Sequence, residues 1–122
     1  MILVDTSVWV DHLRRVDAGL AYLLERNAVI MHPFTVGEIA CGSLMRRPLT
    51  LRLLQQLPMA TIATAAEVLG FIEQHNLHGK GIGYVDVHLL ASAALGETRL
   101  WTRDKRLRAV ALALGCAMTS PA

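Results

Sequence analysis

Cysteine is scarce in this chain. Its two residues, Cys41 and Cys116, have apolar neighbours and no CxxC spacing. That excludes a disulfide scaffold or thiolate zinc site and leaves both thiols as expected core fillers of a reduced, cytoplasmic protein. Long apolar runs are also missing. The longest, Ala109 to Met118, contains Gly115 and falls far short of the ~20 residues of a membrane-spanning helix, so no membrane partner is expected. The opening Met1-Ile2-Leu3-Val4-Asp5 has no basic segment and meets a carboxylate at once, unlike a secretory signal. The five histidines show neither HxxxH nor HxH spacing and are expected at the surface or in packing. Lys80 in the glycine loop 79–83 lacks the GxxxxGK[ST] spacing of a phosphate cradle, so this loop is expected to be a connector. Neither sign of charge dominates, and a net +2 does not by itself argue for a nucleic-acid partner.

What is present is a core. With 122 residues, 53% hydrophobic and 18% charged, the chain reads as one compact domain, 1–122, with no linker, repeat or low-complexity segment. The apolar share is high for this length and favours an oligomer. Ten of the twelve basic residues are clustered: Arg14 and Arg15; Arg46, Arg47 and Arg52; Arg99, Arg103, Lys105, Arg106 and Arg108.

Short β-branched runs alternate with amphipathic segments. Strands are expected at Ile2-Leu3-Val4, Val29-Ile30-Met31, 59–62, 99–102 and, as an edge, 116–118. Helices are expected from Ser7 to about Leu13, after Asp17, from Thr35 with the stripe Val36, Ile39, Ala40, Ser43 and Leu44, after a break at Pro48, from Thr64 to His75, over 84–95, and from Asp104 to Gly115. This order predicts a three-layer α/β/α domain around a mostly parallel sheet of four to five strands.

Four acids stand at strand exits or helix starts: Asp5, Glu38, Asp86 and Asp104. Ligands of open α/β sheets gather at such places. Each acid except Asp5 also has a structural explanation. Thr35-x-x-Glu38 is a capping-box pattern, and Asp86 and Asp104 suit a helix N-terminus. Thr64-x-x-Glu67 has the same box with no chemistry attached. If the fold brought the four together, each pair at about 4 Å would repel by about 4 kcal/mol at an effective dielectric of ~20. A cation would offset that cost, and hard oxygen ligands select Mg²⁺ or Mn²⁺, which can activate water against a phosphodiester.

The chain resembles the PIN domain family, in its VapC toxin branch, over essentially its whole length. Leu3-Val4-Asp5-Thr6-Ser7-Val8-Trp9-Val10-Asp11 is similar to the first motif and Thr35-Val36-Gly37-Glu38-Ile39 to the second. The third and fourth are matched by Gly83-Tyr84-Val85-Asp86-Val87-His88-Leu89-Leu90-Ala91-Ser92-Ala93 and Leu100-Trp101-Thr102-Arg103-Asp104-Lys105-Arg106-Leu107. The resemblance implies an endoribonuclease that cuts structured transfer or ribosomal RNA and inhibits translation. It implies that Asp5, Glu38, Asp86 and Asp104 hold Mg²⁺ or Mn²⁺ and activate the hydrolytic water, with the Thr6 and Thr102 hydroxyls beside the metal. A homodimer silenced by a cognate VapB-type antitoxin, which inserts a segment into the active-site groove, is implied as well. Many relatives carry another acid two positions after the fourth motif's Asp, where this chain has Arg106; one metal or two stays open.

Asp11 is expected to pair with Arg14 or Arg15 at helical spacing. Arg14-Arg15 and Arg46-Arg47 are placed to complement helix C-termini, although Arg14 and Arg46 are also candidate RNA contacts. Arg103, Lys105 and Arg106 begin a helix, where positive charge is unfavourable, and RNA phosphates account for them better. Two other classes compete: a non-catalytic RNA- or protein-binding module, and a phosphatase with Asp5 as nucleophile. The latter needs an acid two residues later, where Ser7 stands.

Overall fold

The computed structural model describes residues 1–119, leaving only the last three residues of the expected domain outside. The elements are β1 (Ile2–Val4), α1 (Thr6–Arg14), α2 (Ala18–Glu25), β2 (Val29–Ile30), α3 (Pro33–Ala40), α4 (Arg47–Gln55), α5 (Ala65–His75), α6 (Tyr84–Leu95), β3 (Arg99–Trp101) and α7 (Lys105–Ala113). All strand pairing is parallel, in the order β2-β1-β3, with Ile2 opposite both Val29 and Arg99 and Val4 opposite Trp101.

Alternation along these short strands divides the core into two layers. Leu3 and Leu100 point into one, with Val68, Val87, Leu90, Leu107 and Ala111 of α5, α6 and α7. Val4 and Val29 point into the other, with Val8, Trp9, Leu20, Ile39 and Leu54 of α1 to α4. Helix α6 is mostly apolar and is buried continuously from Val87 to Ala93. Among the described residues no helix is long and apolar enough to cross a membrane.

Several expectations are corrected. The sheet has three strands, not four to five. The segments 59–62 and 116–118 each contribute a single parallel bridge, Met31 to Met59 and Leu100 to Ala117. At the first, the Met31 N–H donates to the Pro58 carbonyl (2.7 Å) and the Ala60 N–H to the Met31 carbonyl (2.7 Å), after which the chain leaves for the Thr64 cap. Helix α3 begins at Pro33 with His32 as its cap, because proline's fixed φ suits a first helical position. Thr35 is therefore inside the helix, its hydroxyl buried without a partner, and Glu38 lies in the second turn. Pro48 does not break the chain either; it sits in the first turn of α4. Asp5 rather than Ser7 caps α1, so the first acid does have a capping role. Cys116 is buried as expected, but Cys41, just past α3, is exposed.

His32 and His88 are packing residues in an aromatic cluster with Phe34 and Tyr84. His32 Nδ1 accepts the Phe34 N–H (3.0 Å), which leaves its buried Nε2 without a partner. Burial, and then the neighbouring His88, lower its pKa to about 4. The fold thus favours neutral His32. The stability this gives is whole above the ordinary value near 6.5 and is lost as pH falls from there towards 4. The melting temperature is expected to drop across that window, and His32→Asn, which keeps a cap acceptor but cannot titrate, should flatten the drop. An unchanged pH profile of melting in the variant would refute this source of acid sensitivity.

Candidate active site

Two strands deliver the centre of the site. Since Val4 pairs with Trp101, the chain exits β1 and β3 side by side, and Asp5 meets Thr102. The Thr102 hydroxyl donates to Asp5 Oδ2 at 2.7 Å, and Ser7 Oγ donates to the same oxygen at 2.7 Å. Asp5 is only 5% exposed, so these bonds satisfy a carboxylate largely removed from water. On α3, Glu38 Oε1 accepts the Thr6 hydroxyl at 2.6 Å. Asp86 Oδ2, in the first turn of α6, accepts the Gly83 N–H at 3.1 Å. Asp104 caps α7 through the Leu107 N–H at 3.0 Å, and its own N–H donates to Thr102 Oγ1 at 3.1 Å.

The four acids act on one another electrically. Burial is the largest cause holding the Asp86 carboxyl above the ordinary carboxylate range. The Gly83 hydrogen bond opposes that rise, while the charges of Asp5, Asp104 and Glu38 each add to it. Asp86 thus lies within electrostatic reach of the other three acids expected from sequence. As they stand, no three His, Cys, Asp or Glu side chains among the described residues are grouped closely enough to form a ready metal site. The donor set is nonetheless all oxygen, which fits Mg²⁺ or Mn²⁺ and not a thiolate or imidazole metal.

Sequence reasoning missed the clasp around this centre. Arg103 Nη1 donates to Asp11 Oδ2 at 2.5 Å, and Nη2 to Asp17 Oδ2. Its backbone N–H donates to Ser7 Oγ at 3.0 Å. One residue thereby ties the β3 exit to α1 and to the cap of α2. Asp11 pairs across the fold, not with Arg14 or Arg15 along its helix, because Arg103 presents a fork that two carboxylates can share. A guanidinium so engaged is a structural group first, which removes the sequence-based reason for making Arg103 an RNA contact. Arg47 likewise serves the end of α3, donating to the Ala40 and Gly42 carbonyls. Arg46 sits at a left-handed turn (φ 49°) before α4, and Arg14 lines a groove of about 390 Å³ with Glu38, Val10, Leu13, Leu44 and Met45. Lys105 and Arg106 are exposed in the first turn of α7. Only a pattern linking Arg103 to Asp11 and Asp17 across many sequences would have revealed the clasp in advance.

Two outcomes are expected. A raised carboxyl pKa means the neutral form suits the fold, so Asp86 contributes stability at low pH that is lost as pH rises through its raised value. Without metal, Asp86→Asn should therefore raise stability near neutral pH, by less than about 1 kcal/mol after solvent screening, and the gain should fade in acid. Denaturant titrations in EDTA across pH would reveal the opposite sign if the carboxylates do not repel. Second, Arg103→Met should cost about 1 kcal/mol, and adding Asp11→Asn should cost less than the sum of the two changes. Strict additivity in that cycle would mean the ion pair is energetically idle.

The sequence profile of the PIN domain matches residues 2–113. Two strains of Mycobacterium tuberculosis carry proteins named ribonuclease VapC32; each is 47% identical to this chain over 97% of it and 96% of the relative. Among solved structures, FitAcB from Neisseria gonorrhoeae superposes with a TM-score of 0.68 at 23% identity, over 99% of this chain and 98% of the other. FitAB bound to a DNA fragment superposes with a TM-score of 0.66 at 21% identity, over 99% and 95%. These two likenesses carry the fold: parallel strands with the helices that flank them. By the profile and the close relatives together, this chain belongs to the PIN domain family, in its VapC branch.

Proposed function

We propose that this protein is a metal-dependent endoribonuclease toxin that hydrolyses phosphodiester bonds in structured RNA, transfer or ribosomal, and so stops translation. The observation that carries the reading is that Asp5 and Asp104 meet at the Thr102 hydroxyl, while Asp86, raised first by burial, also feels the charges of Asp5, Asp104 and Glu38. Folds keep such mutual repulsion where a cation offsets it. Asp5, Glu38, Asp86 and Asp104 are the residues that would hold it. A bound Mg²⁺ or Mn²⁺ would lower the pKa of water and stabilise charge building on the phosphate.

The chain's own part is positioning. Thr102 and Ser7 fix Asp5 through Oδ2, Thr6 fixes Glu38, and the Gly83 N–H fixes Asp86. Lys105 and Arg106, exposed beside Asp104, are the stronger candidates for RNA phosphates, followed by Arg14 in the Glu38 groove and Arg46, next in sequence to the groove residue Met45. That groove, lined by Val10, Leu13, Leu44 and Met45, suits an apolar segment of a VapB-type antitoxin. A homodimer belongs to the same reading, as Leu53, Leu69 and Leu95 are each more than half exposed.

Purified protein with Mg²⁺ or Mn²⁺ is expected to cleave RNA, to stop in EDTA and to resume when metal returns. Asp5→Asn or Asp86→Asn should lower the rate roughly a hundredfold or more, since metal-borne charge stabilisation is worth several kcal/mol. If undegraded protein with metal leaves a broad panel of single-stranded and transfer RNA intact, the proposal fails.

A further inference from the structure

We propose that the cavity between α5, the glycine loop and α7 is a nucleotide subsite for the RNA strand beside the scissile phosphate. Its apolar floor takes a base, and Lys80 and Arg106 take a flanking phosphate. The proposal rests on the ribonuclease reading and deepens it by assigning a second place where substrate is held. The cavity measures about 340 Å³, within the usual range of small-ligand pockets. Leu77, Val110 and Leu114 are among its apolar lining, and Ala109 leaves room on the exposed face of α7. None of its lining residues is acidic.

The glycine loop is what builds the basic rim. Gly81 has φ +77°, and a Cβ there would stand 2.8 Å from both Cδ and Nη1 of Arg106. The Arg106 side chain therefore lies directly on the loop backbone, beside the residue that follows Lys80. Neither cation is engaged in an ion pair among the described residues, where both ion pairs belong to Arg103. Both cations are also tied to the carboxylate centre through the chain. Arg106 is two residues past Asp104, the cap of α7, and Gly81 is two residues before Gly83, whose N–H holds Asp86. A polyanion with flat apolar bases matches such a surface in charge and shape, and a single strand can present both groups together.

The test uses the full chain and a fluorescein-labelled single-stranded RNA of randomised sequence, in EDTA so that nothing is cut. Lys80→Ala with Arg106→Gln should weaken binding roughly tenfold at low salt and reduce the salt slope by about 1.4, the value for two contacts on a single strand. Ala109→Glu, on an exposed position, should weaken binding as well by placing an acid in the cavity without touching the core. With Mg²⁺ and total RNA, both variants should still cleave but with altered preference at a nucleotide next to the cut.

Unchanged affinity, salt slope and cleavage pattern in both variants would overturn the subsite while leaving the ribonuclease reading intact. If the unaltered chain binds RNA through this cavity yet never cleaves with metal, the ribonuclease reading fails and the binding surface stands. A change of oligomeric state in Ala109→Glu, with RNA affinity unaltered, would mark the cavity as an interface between copies and overturn the subsite.

Discussion

Two loops separated by almost a hundred residues meet because Val4 lies opposite Trp101, and the shared hydroxyl of Thr102 then joins Asp5 to the start of α7. Parallel pairing is what makes this possible: neighbouring strands that run the same way end at the same edge, so their exit loops lie together. A slip of one residue between β1 and β3 would reverse the faces of Leu3 and Val4, empty both halves of the core and separate Asp5 from Thr102. Packing and site geometry are enforced by one register.

The four acids of the site each have a local partner. Asp5 and Asp104 serve as caps, Asp86 accepts a backbone N–H at a helix start, and Glu38 has the Thr6 hydroxyl. Each acid taken singly is accounted for by local structure. Asp86 is held above the ordinary carboxylate range first by burial, and the charges of the other three acids add to that rise. Arg103, next in sequence to Asp104, neutralises Asp11 and Asp17 and pairs with none of the four.

Much of this was legible in the residues. The apolar run Ile2-Leu3-Val4, the caps at Asp17 and Thr64, and the helical span 84–95 placed their elements correctly because local sequence marks them. Expectation failed where tertiary context decided. Pro33 and Pro48 lie in the first turns of helices, where proline's fixed φ is tolerated, although proline in isolation reads as a stop. The segments 59–62 and 116–118 have strand-like composition but find partners for only one bridge each, and strand propensity says nothing of how many neighbours are in reach. The four acids were legible as candidates through their positions at strand exits and helix starts, whereas the Arg103 clasp joins residues 86 and 92 positions apart, beyond any local pattern.

The brevity of the sheet has a further effect on how copies of this protein can associate. Both outer margins of the three strands are already occupied, β2's by Met59 and β3's by Ala117, each through a single pair of residues. A foreign strand arriving at either margin finds no extended row of unpaired amides to template on, which protects a very apolar chain against fibrous growth by edge addition. Any self-association must therefore proceed through helical surfaces, where side-chain shape rather than backbone hydrogen bonding selects the neighbour.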